Sequence, residues 1–159
     1  MRSYLRALGL TLGLSVVVML SSFNALFMTT HSYWYDNLIK PDFGEKFYTF
    51  FWLFSYICTA ITIGEFVVNS KLTKYSFLLI IFVILNVVFC FTFFRMHSFI
   101  ISFVVFCALI ITMIVVLIVT LKNTHHLWVC VLPNFFWYLF MFFVFLSVVY
   151  ADLQSFSIV

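Results

Sequence analysis

Three apolar stretches of the chain carry aromatic and polar side chains at helical spacing, and these are the residues whose types could do chemistry. Taking Trp52 as the reference at about 100° per residue, Ser55, Tyr56, Thr59 and Thr62 fall within a sector of about 120° around it. Asn86, Cys90, Phe93 and His97 follow one another at steps of four, three and four residues and line one face. Asn86 and His97 are then about 16 Å apart along that helix axis. Asn134, Trp137, Tyr138 and Met141 make a third face just after Pro133. The chemistry open to such faces is recognition rather than bond-making. Ring faces stack on flat ligands, and amides and hydroxyls anchor them. The same stripes also suit interhelical packing and hydrogen bonding inside a membrane, and spacing alone leaves both readings open.

Bond-making chemistry has little to stand on. There is no GxSxG, no HExxH, no phosphate-binding loop and no pair of carboxylates within an apolar stretch. The expectation is therefore no catalytic residues and no required cofactor. His125-His126 resembles half a metal site but has no carboxylate or cysteine beside it in sequence, so no metal is expected. Cys58, Cys90, Cys107 and Cys130 each lie in a different apolar stretch without CxxC spacing and read as small apolar helix residues. Glu65 is the one acidic residue inside a stretch. It sits near the stretch's end, where snorkelling towards Lys71 is favoured over a proton relay.

The elements that must position these residues follow from composition. Of 159 residues, 66% are apolar or aromatic and only 8% are charged, with a mean hydropathy of +1.23. A soluble domain carries about 25% charged residues, so this chain could not cover a globule in water. Five stretches reach the roughly 20 apolar residues that cross a bilayer as a helix: about 7–28, 47–68, 75–94, 98–121 and 127–151. Barrel strands would alternate polar and apolar. The expected fold is all-α, a single five-helix transmembrane domain over 1–159, with short connections forcing antiparallel neighbours. Arg2 and Arg6 precede the first stretch, which is longer than the ~7–15-residue core of a signal peptide and reads as a retained helix. Arg2, Arg6, Lys71, Lys74 and Lys122 would share one side, which the positive-inside rule turns towards the inner compartment. A net charge of +3 without a basic run excludes nucleic acid as a partner. Much of the complement of 24 Phe residues, such as Phe140, Phe142, Phe143 and Phe145, occurs on several sides of one helix and reads as lipid-facing filler. Gly9-xxx-Gly13 has the spacing that lets helices approach closely, within the chain or in a homodimer.

The longest connection, His31 to Lys46, holds four aromatics and Lys40-Pro41. A loop of this length reads as a lid or binding loop, or as an interfacial aromatic belt at Trp34 and Tyr35. The run Trp34-Tyr35-x-x-Leu38-x-Lys40-Pro41, followed by Trp52-x-x-x-Tyr56, resembles the TspO/MBR family of tryptophan-rich sensory proteins and mitochondrial translocator proteins. Leu85-Asn86-x-x-Phe89-Cys90-x-x-Phe93-Phe94-x-x-His97-Ser98 is similar to that family's LN-x-x-WS-x-x-FF-x-x-HS segment, and Leu132-Pro133-x-x-x-Trp137-x-x-Phe140 to its LPY-x-x-W-x-x-F stretch. Phe89 stands where the family has Trp, Val105 where it often has Asp, and Phe145 where it has Asn. The family's sterol motif of the form L/V-x-Y-x-K/R has no counterpart, since no Lys or Arg follows Tyr138 or Tyr150.

The resemblance implies a ligand site walled by Trp34, Trp52, Asn86, Phe89 and Trp137, extended by Tyr56, Phe93 and Phe140. A lid of Tyr35, Leu38, Lys40 and Pro41 would lie above it, with Lys40 and Arg95 placed to meet propionates. It also implies a receptor or transporter for porphyrins, haem-type tetrapyrroles or similar flat apolar ligands. It further implies a multi-pass location in a bacterial envelope or organelle membrane, and a tendency to dimerise. Two rivals stand beside it: a porphyrin-degrading membrane enzyme, and a structural or partner-binding subunit without a small ligand.

Overall fold

The computed structural model describes residues 2–29 and 45–156, and every regular element among them is helical. The order is α1 (Arg2–Thr29), α2 (Glu45–Val68), a one-turn α3 (Ser70–Thr73), α4 (Ser76–Cys90), a π turn (Phe91–Arg95), α5 (Phe99–Asn123), a 3-10 turn (His125–Leu127) and α6 (Trp128–Phe156). Four of these segments are long and apolar enough to cross a membrane: Phe50–Val68, Ser76–Arg95, Phe99–Asn123 and Trp128–Ala151. A shorter apolar segment, Ala7–Ser22, lies in α1. In hydrocarbon a helix satisfies its own backbone polar groups, which is why such sequences resolve into helices and nothing else. The all-α membrane bundle and the multi-pass membrane location expected from composition are what the protein has.

The helices close a ring in the order α1, α2, α6, α5, α4 and back to α1. The α1–α2 seam is the tightest. A Cβ placed on Gly13 would stand 2.4 Å from the Ala60 carbonyl oxygen, and one on Gly9 would stand 2.7 Å from that of Gly64. The small residues thus bring the α1 backbone against the α2 backbone within one chain.

The α2–α6 seam is antiparallel with a steady register. Contacts climb α2 as they descend α6: Phe47 meets Phe140, Phe51 and Trp52 meet Trp137, Ser55 meets Asn134, and Glu65 meets His126. Glu65 Oε2 lies 3.8 Å from His126 Nε2, which corrects the expected pairing with Lys71. The reason is geometric: α2 ends at Val68, Asn69 caps α3 by accepting from the Lys71 amide, and Lys71 is carried out to an exposed position.

Three tiers fill the interior. At one end lies an aromatic cluster that includes Phe89, Phe93, Phe106, Trp137, Tyr138 and Phe145. At the other end Phe66, Leu72, Leu79, Val116, Leu127 and Val131 form an aliphatic cluster. Between them Ser55, Thr59, Thr62 and Asn134 are buried, and a void of about 10 Å³ adjoins Thr59, Thr62 and Asn134. Outward faces are apolar; on α5, Ile100, Val104, Ile111 and Ile118 are all exposed, as a lipid-facing stripe requires.

Helix α4 passes into five residues of π helix, with the Met96 amide donating to the Phe91 carbonyl at 3.1 Å. The wider turn is tied to its surroundings. Ser98 N–H donates to the Thr92 carbonyl, and Ser102 Oγ donates to Thr92 Oγ1. His97 then takes a φ of 51°, a left-handed conformation that stops the helix and redirects the chain into α5.

Candidate ligand site

The aromatic tier is assembled by α2 and α6 first. Trp137 is 4% exposed and is the centre of the group. Its ring stacks on Phe51 at 5.3 Å and 13°, and on Phe140 at 5.6 Å and 28°. Trp52 meets it edge-on at 5.8 Å and 81°. Trp52, itself half-buried, also touches Tyr56 at 5.6 Å and Tyr138 at 6.2 Å. Offset-stacked and edge-to-face pairs of this kind contribute about 0.5–1.5 kcal/mol each beyond the area they bury. They hold Trp52 and Trp137 in fixed orientations without a charged group.

Asn86 joins the group from α4. Tyr138 Oη donates to Asn86 Oδ1 at 2.8 Å, and Asn86 Nδ2 donates to the Phe82 carbonyl at 3.0 Å. Beneath them runs a second polar bridge. Ser55 Oγ donates to Asn134 Oδ1, Asn134 Nδ2 donates to Thr59 Oγ1 at 3.0 Å, and Thr59 Oγ1 donates back to the Ser55 carbonyl. Among the described residues Ser76 Oγ, Thr120 Oγ1 and Trp137 Nε1 are buried without a hydrogen-bond partner, and of these Trp137 Nε1 belongs to the aromatic tier. An unpaired buried N–H costs about 1–3 kcal/mol, so this atom is the site's open valence. An acceptor brought by a ligand would satisfy it.

Of the residues singled out from sequence, Trp52, Tyr56, Trp137 and Phe140 lie in one ring network, and Asn86 is bonded to it through Tyr138. Phe89 and Phe93 stack on each other at 5.7 Å and turn towards α5 and α6, where both meet Phe145 and Phe89 also stacks on Phe106 at 4.6 Å. They wall the adjoining half of the tier. Phe89 and Phe145, two of the departures from the family pattern, are therefore in contact at 5.9 Å, and Val105 packs against the same cluster. Trp34 and the lid residues Tyr35, Leu38, Lys40 and Pro41 lie outside the described residues.

Sequence reasoning passed over Phe51 and Phe47, which cover Trp137 from α2. Their signal was faint, since Phe occurs on every side of these helices. A larger open groove of about 490 Å³, lined by Ser98, Phe99, Ile100, Phe103 and Val149, lies on the α5 side. Among the described residues no group of three or more His, Cys, Asp or Glu side chains could hold a metal ion.

Compared with known proteins, residues 11–151 match the model of the TspO/MBR family. A search of curated proteins returns no match.

Proposed function

The chain belongs to the TspO/MBR family, and on that footing we propose that it is a membrane receptor or carrier for porphyrins or similarly flat, apolar molecules. The ligand would be taken up in the aromatic tier between α2, α4 and α6. The observation that carries this reading is Trp137 Nε1, inside a cage of rings and without a hydrogen-bond partner among the described residues. A conjugated macrocycle offers ring faces to Trp52, Trp137 and Phe140, and a peripheral carbonyl or carboxylate to Nε1. The other half of the tier is apolar, because Phe89, Val105 and Phe145 stand where the family carries polar groups. That half suits the hydrocarbon edge of a ligand rather than its polar substituents. Asn86 serves as frame in this scheme: Tyr138 and the Phe82 carbonyl already engage its amide, and it fixes Tyr138 behind Trp52.

A rival reading, a structural membrane subunit without a small ligand, draws on the same closed bonding of Asn86. Titration separates the two. Protoporphyrin added to the purified protein is expected to quench Trp fluorescence saturably. Trp137→Phe keeps a ring but removes the donor, and is expected to weaken protoporphyrin binding about tenfold, the worth of one hydrogen bond to a charged group. Porphine, which has no peripheral acceptor, should bind wild type and Trp137→Phe alike. If Trp52→Ala, Asn86→Ala and Trp137→Ala all bind protoporphyrin as tightly as wild type, the site is misplaced. Absence of saturable quenching in wild type would favour the subunit without a ligand.

A further inference from the structure

The α4–α5 seam is antiparallel, and its register holds along its length. Phe89 of α4 stacks on Phe106 of α5 at 4.6 Å. Farther along, the small void is lined by Phe82 and Leu79 from α4 and by Met113 and Val116 from α5. Each step back along α4 is thus matched by a step forward along α5. Carried to the end of the seam, this register sets Ser76 at the level of Thr120, and Lys74 at the level of Lys122. Ser76 Oγ and Thr120 Oγ1 are both buried without a hydrogen-bond partner among the described residues. Other helix hydroxyls in this chain behave differently: Thr59, Thr62, Thr112 and Thr124 each donate back to the carbonyl four residues earlier. A buried hydroxyl without a partner is costly, so two at one level mark a place where an acceptor is wanted. Thr120 is 0% exposed, whereas Ser76 is half-buried in the first turn of α4, at the mouth of the seam. The rest of that mouth is positive. Tyr75 stands at the N-cap of α4 and gives it no side-chain bond, so the first-turn amides lack a capping group. Lys74 and Lys122 are both exposed. Glu65 is the only carboxylate between Lys46 and Ala151, and it faces His126 on the α2–α6 seam instead. Below the mouth, Phe77 and Ile80 of α4 and Ile118 and Leu121 of α5 are exposed to lipid.

We propose that the mouth of the α4–α5 seam binds the headgroup of an anionic phospholipid from the adjoining leaflet. The phosphate sits at the N-terminus of α4, between the ammonium groups of Lys74 and Lys122, and accepts from Ser76 Oγ. Lys122 has a second effect. It lies in the last turn of α5 and offsets the negative end of that helix, which would otherwise repel a phosphate. The acyl chains run down the apolar wall of Phe77, Ile80, Ile118 and Leu121. Basic sites between helices at a lysine-rich membrane face are where anionic headgroups are held. The apolar wall also decides the source of the phosphate: a free ion would meet the charges and the hydroxyl but would gain nothing from the wall, whereas a lipid gains from all three.

The test uses the full-length protein in detergent, offered phosphatidylglycerol and phosphatidylcholine in equal amounts, with retained lipid counted by native mass spectrometry. The expected result is one phosphatidylglycerol held per chain, in clear preference to phosphatidylcholine. Lys74→Gln and Lys122→Gln should each lower that preference about fivefold, the worth of one lysine at an anionic lipid surface. Ser76→Ala should lower it severalfold without touching a charge, and it stays informative where a lysine variant fails to fold. Lys71→Gln removes a charge from the same end of the bundle but from α3, outside the seam, and should change the preference less than twofold. Inorganic phosphate at the same concentration should not displace the lipid. Equal retention of the two lipids, an unaltered preference in folded Ser76→Ala, a loss with Lys71→Gln as large as with Lys74→Gln, or displacement by inorganic phosphate would each overturn the proposal. The third of these outcomes would mean a diffuse attraction to the lysine end, and the fourth an ion site without a lipid.

Discussion

At the scale of single residues, polar side chains matter here because hydrocarbon offers them no alternative partner. Asn134 is the clearest case. Its amide accepts from Ser55 and donates to Thr59, so one side chain joins α6 to two turns of α2. Asn134→Leu is expected to lower stability by about 1–2 kcal/mol, read as a shift in the unfolding midpoint in mixed micelles. Ser55→Ala should cost less, since Asn134 keeps Thr59. The Glu65–His126 contact stands at the opposite extreme. His126 is 70% exposed and Glu65 37%, at a separation of 3.8 Å. Solvent screens such a pair, and Glu65→Gln should change stability by less than about 1 kcal/mol in the same assay. Legibility at this scale depended on contrast. Trp52 and Trp137 could be picked out because Ser55, Tyr56, Asn134 and Tyr138 share their faces. Phe51 could not, because it sits in the run Phe50-Phe51-Trp52-Leu53-Phe54, where Phe falls on several sides of the helix. The partner of Glu65 was equally hidden. Lys71 is near in the chain, but His126 arrives on another helix, and only the seam brings it within reach.

At the scale of elements, the α1–α2 seam separates glycines that are required from one that is merely convenient. The added Cβ on Gly13 would strike the Ala60 carbonyl oxygen, carbon and Cα at 2.4, 3.0 and 3.1 Å, all backbone atoms that cannot swing aside. Gly13→Ala should therefore force α1 away from α2. The expected loss is about 1–3 kcal/mol, the usual cost of overpacking, seen as a lower thermal midpoint. At Gly64 the nearest atom to an added Cβ is 3.5 Å away, an ordinary contact. Gly64→Ala should be neutral, or stabilising by up to about 1 kcal/mol through helix propensity. If both substitutions behave alike, the seam is not where the backbones meet. The small-residue spacing was visible in sequence, but its partner was not, because nothing in Gly9-xxx-Gly13 distinguishes a neighbouring helix from a second chain. The π turn at Phe91–Arg95 was also invisible. A π turn has no compositional mark, and the stretch reads as a continuation of the α4 stripe.

At the scale of the molecule, membrane class and helical architecture were written in composition, since 8% charged residues cannot solvate this chain. The direction of the bundle is written more faintly, in where the charges fall. Leu72 of α3 and Leu127 of the 3-10 turn pack in one aliphatic cluster with Phe66. That contact gathers Lys71, Lys74, Lys122 and the Glu65–His126 pair at one end of the bundle. Arg95 and Met96, beyond the far end of α4, lie at the other. Short loops rich in lysine resist translocation, so the lysine end is expected to face the compartment from which the protein is inserted. The aromatic tier then lies towards the opposite face. Single cysteines introduced as Lys74→Cys, Lys122→Cys and Met96→Cys, in a chain with Cys58, Cys90, Cys107 and Cys130 replaced by Ala, test this with a membrane-impermeant maleimide on right-side-out membranes. Met96→Cys should label in intact membranes, and Lys74→Cys and Lys122→Cys only after permeabilisation. The reverse pattern would place the ligand entrance on the inner side. Labelling of Lys74→Cys and Lys122→Cys from different sides would contradict the end of the bundle that Leu72 and Leu127 define.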